Sequence, residues 1–235
     1  MKAVEEFIAQ FKGKTIGIAL NDLETGKEFY VNSDVMMHPA STMKVPVMME
    51  VFRQAEAGLL SLDDRLEIYN SFISIADGSL FMLDETDDSE LTLYRRIGES
   101  ETIHELTRLM IVRSSNLASN LLMDKVTTAQ VNAIVKEYGI ENMSIIRELE
   151  DKKALSLNMN NAACARSSTQ MMRLIAEGKA ISQKACDEMI RILLGQEFNE
   201  SIPTLLPPDV KVAHKTGWSG EFFHDTAIVY SQNRK

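Results

Sequence analysis

The segment TIGIALNDLETGKEFYVNSDVMMHPASTMKVPVMMEVFRQAEAG, residues 15–58, changes its period once, and that change decides the fold class. Ile16, Ile18 and Leu20 alternate with other residues across 15–22, the period of a half-buried strand. Glu24, Thr25 and Gly26 make a turn and residues 27–31 return, so the two runs read as a β-hairpin. From Ser41 onward the apolar positions are Val45, Met48, Met49 and Phe52, spaced i, i+3, i+4, i+7: a helix stripe that stops at Gly58. Pro46 falls early in that helix, where a missing N–H costs least.

Before the hairpin, MKAVEEFIAQFKGK is a short polar helix pattern without a charged-then-apolar leader. The chain as it stands therefore reads as cytoplasmic, or as periplasmic or secreted if an export signal has been removed. After the central helix, residues 71–102 are irregular and include DETDDSE at 84–90, five acids in seven residues, which reads as a solvated surface loop. Helix patterns follow at 103–110, 117–126, 128–138, 163–177 and 182–194, the last three closed by Gly139, Gly178 and Gly195. Strand patterns return at 210–216 and 226–231.

Strands at both ends and helices between them make an α+β chain. An antiparallel sheet flanked by helices, bringing the two ends together, is the natural way to bury such short strands. The expected layout is one domain over 1–235, with an α/β lobe from 1–40 and 200–235 and an all-helical lobe at 41–199. A cleft between the lobes is the expected ligand site. Of the 235 residues, 45% are hydrophobic, enough for a core. Lys plus Arg number 25 against 34 Asp plus Glu, and the net charge of −9 argues against a nucleic-acid binder, which gains affinity by neutralising phosphates. No apolar run approaches the ~18 residues that would span a bilayer. Cys164 and Cys186 lie in separate helix patterns with no metal or disulfide spacing, and read as two buried thiols. His38, His104 and His214 likewise show no metal spacing, and nothing in the sequence calls for a cofactor.

Three short stretches can carry chemistry. In STMK, Ser41 opens a helix whose positive end favours an oxyanion, and Lys44 lies one turn on, on the same face. A lysine desolvated there could be neutral and accept the serine proton. In RSSNLASNLL, Ser114 and Asn116 precede a helix, where Ser and Asn are also ordinary caps. In VKVAHKTGWSG, Lys215, Thr216 and Gly217 close a strand, where a cation and a hydroxyl could bind a carboxylate. Each stretch alone also has a plain structural reading: a cap, a surface lysine, a turn.

Together and in this order, S-x-x-K, S-x-N and K-T-G resemble the active-site set of class A β-lactamases and penicillin-binding proteins. The flanking HPASTMKVPVMMEVF, MIVRSSNLASNLL and VAHKTGWSGEFFHDTAIVY look like the same serine hydrolases. The resemblance implies an acyl-enzyme on Ser41, with Lys44 as base or relay and Ser114 passing a proton to the leaving nitrogen. It also implies Asn116 touching the substrate, Lys215 and Thr216 holding its carboxylate, and an oxyanion hole from the backbone N–H groups of Ser41 and Trp218. The loop IIRELEDKKALSLNMNN offers Glu150 as the base that activates water, with Glu148 second, but position 154 is Ala where the family usually has a water-holding Asn. The substrate implied is a β-lactam or a peptidoglycan-like small molecule. Hydrolysis of the lactam is the first reading; a D-Ala-D-Ala peptidase, an esterase or a slowly deacylating penicillin-binding protein is the alternative. His224 and Asp225 leave a Ser–His–Asp arrangement open, without a G-x-S-x-G elbow. Residues 232–235 read as a turn leading to a further strand and C-terminal helix by the family's layout. Their absence here predicts a shortened chain, or a partner chain that completes the sheet.

Overall fold

The structure is a computed structural model that describes residues 2–231. Helix α1 (Lys2–Ile8) leads into the hairpin β1 (Ile18–Asn21) and β2 (Glu28–Val31), paired antiparallel with Ile18 opposite Val31. A 3-10 turn, Ala40–Met43, runs directly into α2 (Lys44–Glu56). Then come β3 (Arg65–Glu67), β4 (Phe72–Ile73), β5 (Leu80–Phe81) and β6 (Ser100–Thr102), followed by α3 (Ile103–Val112), α4 (Asn116–Val126) and α5 (Thr128–Glu137). After β7 (Met143–Ser144), α6 (Lys152–Ser156) and β8 (Ala162–Ala163), the chain forms α7 (Ala165–Ala176) and α8 (Gln183–Leu193). It closes with the long ribbon of β9 (Lys211–Ser219) and β10 (Phe222–Tyr230).

The class is α+β, but the strands do not form one sheet. Among the described residues they make five two-stranded antiparallel ribbons, and β1–β2 shares no ladder with β9–β10. Helix α7 instead packs against both β1 and β10, so the chain ends are joined through a helix. This packing lends no support to a partner strand between the ribbons. The turn expected at 232–235 lies outside the described residues.

Sequence pattern gave α2 one apolar stripe; the structure buries it on every side. From Lys44 to Phe52 every side chain is buried, Val47, Glu50 and Val51 as well as the stripe. It is the central helix, surrounded by α3, α4, α5 and α8. Glu50 is tolerated there because Arg53 and Gln54 donate to its carboxylate at 2.7 Å. One contiguous core joins α2–α5, α7 and α8, and Ala213 and Ile228 bring the long ribbon into it. Ser115 caps α4 by accepting from the Ala118 N–H at 3.1 Å, while Thr102 and Ser182 cap α3 and α8. Both cysteines are free and buried.

The acidic segment 84–90 departs most from its reading as a solvated loop. Asp88 and Glu90 are buried. Asp88 Oδ2 accepts from the Asn116 and Leu117 N–H groups at 2.9 Å each and from the Tyr94 hydroxyl at 3.0 Å. It satisfies two of the donors that a helix N-terminus leaves open. Glu90 similarly accepts from the Thr92 and Leu93 N–H groups. Asp88→Ala would strand the buried Leu117 N–H, at about 1–3 kcal/mol, and leave the half-buried Asn116 N–H to water at a smaller cost. The expected result is a loss of about 2–4 kcal/mol in urea unfolding and a melting point lower by several degrees, with the far end of α4 intact by hydrogen exchange.

Candidate active site

The start of α2, the turn before α4 and the end of β9 converge on one place. Ser41 lies in the 3-10 turn rather than in the α-helix proper, and Lys44 is the first residue of α2. Gly217 holds β9 against that turn. A Cβ at Gly217 would lie 3.0 Å from the Ser41 backbone nitrogen and 3.1 Å from the Pro39 carbonyl oxygen, contacts that real Cβ atoms rarely make. The glycine therefore lets this chain's own backbone approach, bringing the Ser41 N–H beside the strand that carries Trp218.

Lys44 is fully buried. Its Nζ donates to the Ser114 carbonyl oxygen at 2.5 Å and to Asn116 Oδ1 at 2.9 Å, and lies 3.2 Å from Ser114 Oγ. Burial pushes this amine down to about 7, partly opposed by the carboxylates of Asp88 and Glu150. At neutral pH the neutral form is thus well populated. Asn116 faces both ways: its Nδ2 donates to Glu150 Oε1 at 2.8 Å, so Lys44, Ser114, Asn116 and Glu150 form one hydrogen-bonded chain.

Glu150 sits on a loop fixed by backbone clamps. Asn120 holds the peptide of Leu149 from both sides, at 2.9 Å to its N–H and 3.0 Å to its carbonyl. Asp151 caps α6 and accepts from Ser74 Oγ at 2.9 Å and the Ile75 N–H at 3.1 Å. Burial raises the Glu150 carboxyl above its ordinary value, with the Asn116 amide and the Asp84 N–H pulling it back. Glu148, the second choice, does not reach this cluster; it is half-buried beside Asp124, and desolvation drives it up to about 9. Ala154 is buried with its N–H committed to Asp151.

Lys215 is also fully buried, its Nζ donating to the Thr216 carbonyl at 2.9 Å. Desolvation first and the nearby Lys44 second push it well below the ordinary lysine range. An incoming carboxylate would restore its charge. Thr216 is half-buried and the Trp218 side chain is exposed. Three non-glycine residues adopt the left-handed region where the segments meet: Ala40 at φ 47°, Ser114 at 55° and Glu150 at 61°.

A Ser–His–Asp arrangement through His224 and Asp225 is not formed. Neighbours on a strand face opposite sides, so the two part company. His224 Nε2 donates to the His38 carbonyl at 2.8 Å, whereas Asp225 pairs with His214 at 3.0 Å. Asn199 Oδ1 meets the other ring nitrogen of His214 at 3.2 Å, and the Ile202 N–H donates to Asp225 at 3.0 Å. These contacts tie the loop before β9 to the ribbon beside Lys215. Sequence reading missed them, as it missed Asp88 and Asn120. Only Asn120 had a local hint, lying one turn beyond Asn116 on the same helix face. No group of three or more metal-ligating side chains occurs among the described residues, and no helix there is long and apolar enough to cross a membrane.

Comparison with known proteins adds four findings. The chain is 24% identical over 243 residues to β-lactamase Toho-1 of Escherichia coli, covering 97% of this chain and 75% of that protein. Its fold superposes on a β-lactamase from Sphaerobacter thermophilus with a TM-score of 0.82 at 26% identity, covering 98% of this chain and 83% of the other. It also superposes on PBP-A, captured as a variant in an acyl-enzyme complex with penicillin G, with a TM-score of 0.84 at 24% identity over 99% and 82% of the two chains. The model of the β-lactamase enzyme family matches residues 1–235 throughout. By its sequence over that whole length and by its fold, this chain belongs to the β-lactamase enzyme family of serine hydrolases related to class A β-lactamases and penicillin-binding proteins.

Proposed function

We infer that the protein hydrolyses β-lactams through an acyl-enzyme on Ser41. The observation that carries this is the buried Lys44, one turn after Ser41 in the chain, held near neutrality and anchored to Ser114 and Asn116. A neutral amine has two N–H bonds and one lone pair. The Ser114 carbonyl and Asn116 Oδ1 take the two N–H bonds, leaving the lone pair for a hydroxyl proton.

The steps follow from that inventory. Ser41 Oγ attacks the lactam carbonyl carbon as its proton passes to Lys44. The developing oxyanion meets the backbone N–H groups of Ser41 and Trp218, donors of a kind worth a few kcal/mol each. The C–N bond then breaks, and the nitrogen takes a proton through Ser114 Oγ, which the geometry links to Lys44. Lys215 and Thr216 bind the substrate carboxylate. A water activated by Glu150 then cleaves the Ser41 ester, releasing the acid and regenerating the hydroxyl. Glu150 suits that role because burial raises its carboxyl, while Asn116 keeps it oriented.

Ala154 favours a second reading at the last step only. Its methyl cannot hold a water, so the adduct would turn over slowly, as in a penicillin-binding protein. An esterase or D-Ala-D-Ala peptidase would share the same acylation.

Intact-protein mass spectrometry tests the acylation step. Benzylpenicillin is expected to add one ligand mass to the native protein and none to Ser41→Ala; equal labelling of both removes Ser41. The acylation rate is expected to rise with pH through about 7, because Lys44 accepts a proton only once it has lost its own. A rate flat from pH 5 to 9 would assign the base elsewhere.

Glu150→Gln separates the two readings of the last step. It is expected to leave acylation within a few-fold and to lengthen adduct lifetime by about 10²–10⁴-fold, the usual contribution of a positioned base. A native adduct that already persists for hours would establish the slow-turnover reading. Adduct persistence in Glu148→Gln alone would move the role to Glu148.

A further inference from the structure

We propose that the buried edge of Arg147, beside the ring of His38, binds a small monovalent anion such as chloride, which ties the Glu150 loop to the turn that carries Ser41. Arg147 lies three residues before Glu150, and His38 three before Ser41. Only 4% of Arg147 is exposed, and its Nε is buried with no hydrogen-bond acceptor among the described residues. Of its other nitrogens, Nη1 donates to the Glu148 carbonyl at 2.9 Å, while Nη2 faces His38 Nε2 at 3.3 Å. The carboxylate that acts on this cation through space is Asp151. Its oxygens are taken up elsewhere, by Ser74 Oγ and the N–H groups of Ile75 and Ala154.

The protons of His38 make the mismatch specific. The Ala40 N–H donates to His38 Nδ1 at 3.1 Å. Burial, then the nearby Arg147 and His224, hold this imidazole below its ordinary value, so it is neutral at neutral pH. A neutral imidazole has one acceptor nitrogen and one N–H. With Nδ1 accepting, Nε2 carries the hydrogen, and donor meets donor at 3.3 Å. Nε and Nη2 share one edge of the guanidinium, the kind of edge that grips a carboxylate in a fork. An anion on that edge accepts from Arg147 Nε and Nη2 and from His38 Nε2 together.

The chemistry of these donors selects a halide. Three N–H groups and a single positive charge call for a pure acceptor with one negative charge. A water would satisfy a donor yet leave the buried cation uncompensated, and that is the expensive part of burying it. Guanidinium is a weakly hydrated cation, and chloride is an anion that also gives up its water readily. The burial of Arg147 excludes phosphate or a substrate carboxylate, whereas a single-atom ion fits beside the half-buried His38.

Both partners stand on fixed backbone. Asn161 grips the Arg147 peptide, its Oδ1 accepting the N–H and its Nδ2 donating to the carbonyl, each at 3.0 Å. Next to His38, Met37 exchanges backbone hydrogen bonds with Ala163 at 2.9 and 3.0 Å, and the His38 carbonyl accepts from His224 Nε2 at 2.8 Å. The donors are therefore held in place before an ion arrives, which lowers the ordering cost of binding. The ion turns an unfavourable contact between the two segments into a shared one. This goes beyond the acylation reading and does not depend on it.

Thermal unfolding tests the site at constant ionic strength, with sodium gluconate replaced stepwise by sodium chloride. The native protein is expected to show a saturable rise in Tm, reaching about 3–6 °C at about ten times the half-saturating chloride. Arg147→Gln is expected to lose the rise. His38→Phe, which keeps a ring but no N–H, is expected to raise the half-saturating concentration about ten-fold, the loss of one charge-assisted hydrogen bond. Ser41→Ala is expected to keep the rise in full, so the anion site and the acyl-enzyme stand or fall separately. If Arg147→Gln does not fold, crystals of the native protein soaked in sodium bromide decide, with an anomalous peak expected within hydrogen-bond reach of Arg147 Nε. No saturable rise, a rise kept in Arg147→Gln, or a His38→Phe titration equal to the native one would overturn the site. So would a bromide peak found only elsewhere, or one at Arg147 without the rise in solution, which is binding at crystal concentration only.

Discussion

The organisation of this molecule depends on one amine kept out of water. Lys44 lies at the head of the central helix, and the oxygens around it come from a different segment, the turn before α4. A buried ammonium without partners would be prohibitive, so either the site supplies acceptors or the lysine gives up its proton. Here both happen in part. The acceptors lock α4 onto α2, and the burial that demands them holds the amine near neutrality. The same contact is a packing constraint and, on the proposed function, a poised base, so α4 must begin where it does. Asp88 enforces that from outside by pinning the first N–H groups of α4.

What the sequence made legible follows from range. The helices at 103–112, 116–126, 128–137, 165–176 and 183–193 announced themselves through period and glycine stops, because those signals act within a turn or two. Ser41, Lys44, Ser114, Asn116 and Lys215 stood out because each adjoins the end of an element, where side chains meet. The division of the strands into separate ribbons was not legible, since strand pattern gives a face but no neighbour. The same limit hid Asp88, which reads locally as one acid among five yet meets its partners 28 and 29 residues away. The choice of His214 over His224 as the partner of Asp225 was fixed by ribbon register, which local pattern does not encode.

Electrostatics ties the two lysines of the site together. Lys44 and Lys215 are both buried, and each disfavours the other's charge. Without a ligand the pair is under-compensated; a carboxylate against Lys215 relieves the repulsion. On the proposed function, substrate anion and amine would thereby be coupled through space, because an anion beside Lys215 eases the charging of both amines.

The left-handed backbones at Ala40, Ser114 and Glu150 carry a cost of their own. Each holds an L-residue where glycine would rest more easily, at about 1–2 kcal/mol apiece. Their sum, about 3–6 kcal/mol, is a sizeable part of the margin by which a domain of this kind stays folded, roughly 5–15 kcal/mol. The helical core must therefore be overbuilt relative to what folding alone requires, since it holds three reluctant segments in register. Erosion of that core by a remote substitution would first be felt as relaxation of the serine turn, the α4 turn and the glutamate loop. On this architecture, loss of competence precedes loss of shape, and the evolutionary room for drift in the core is narrower than its burial suggests.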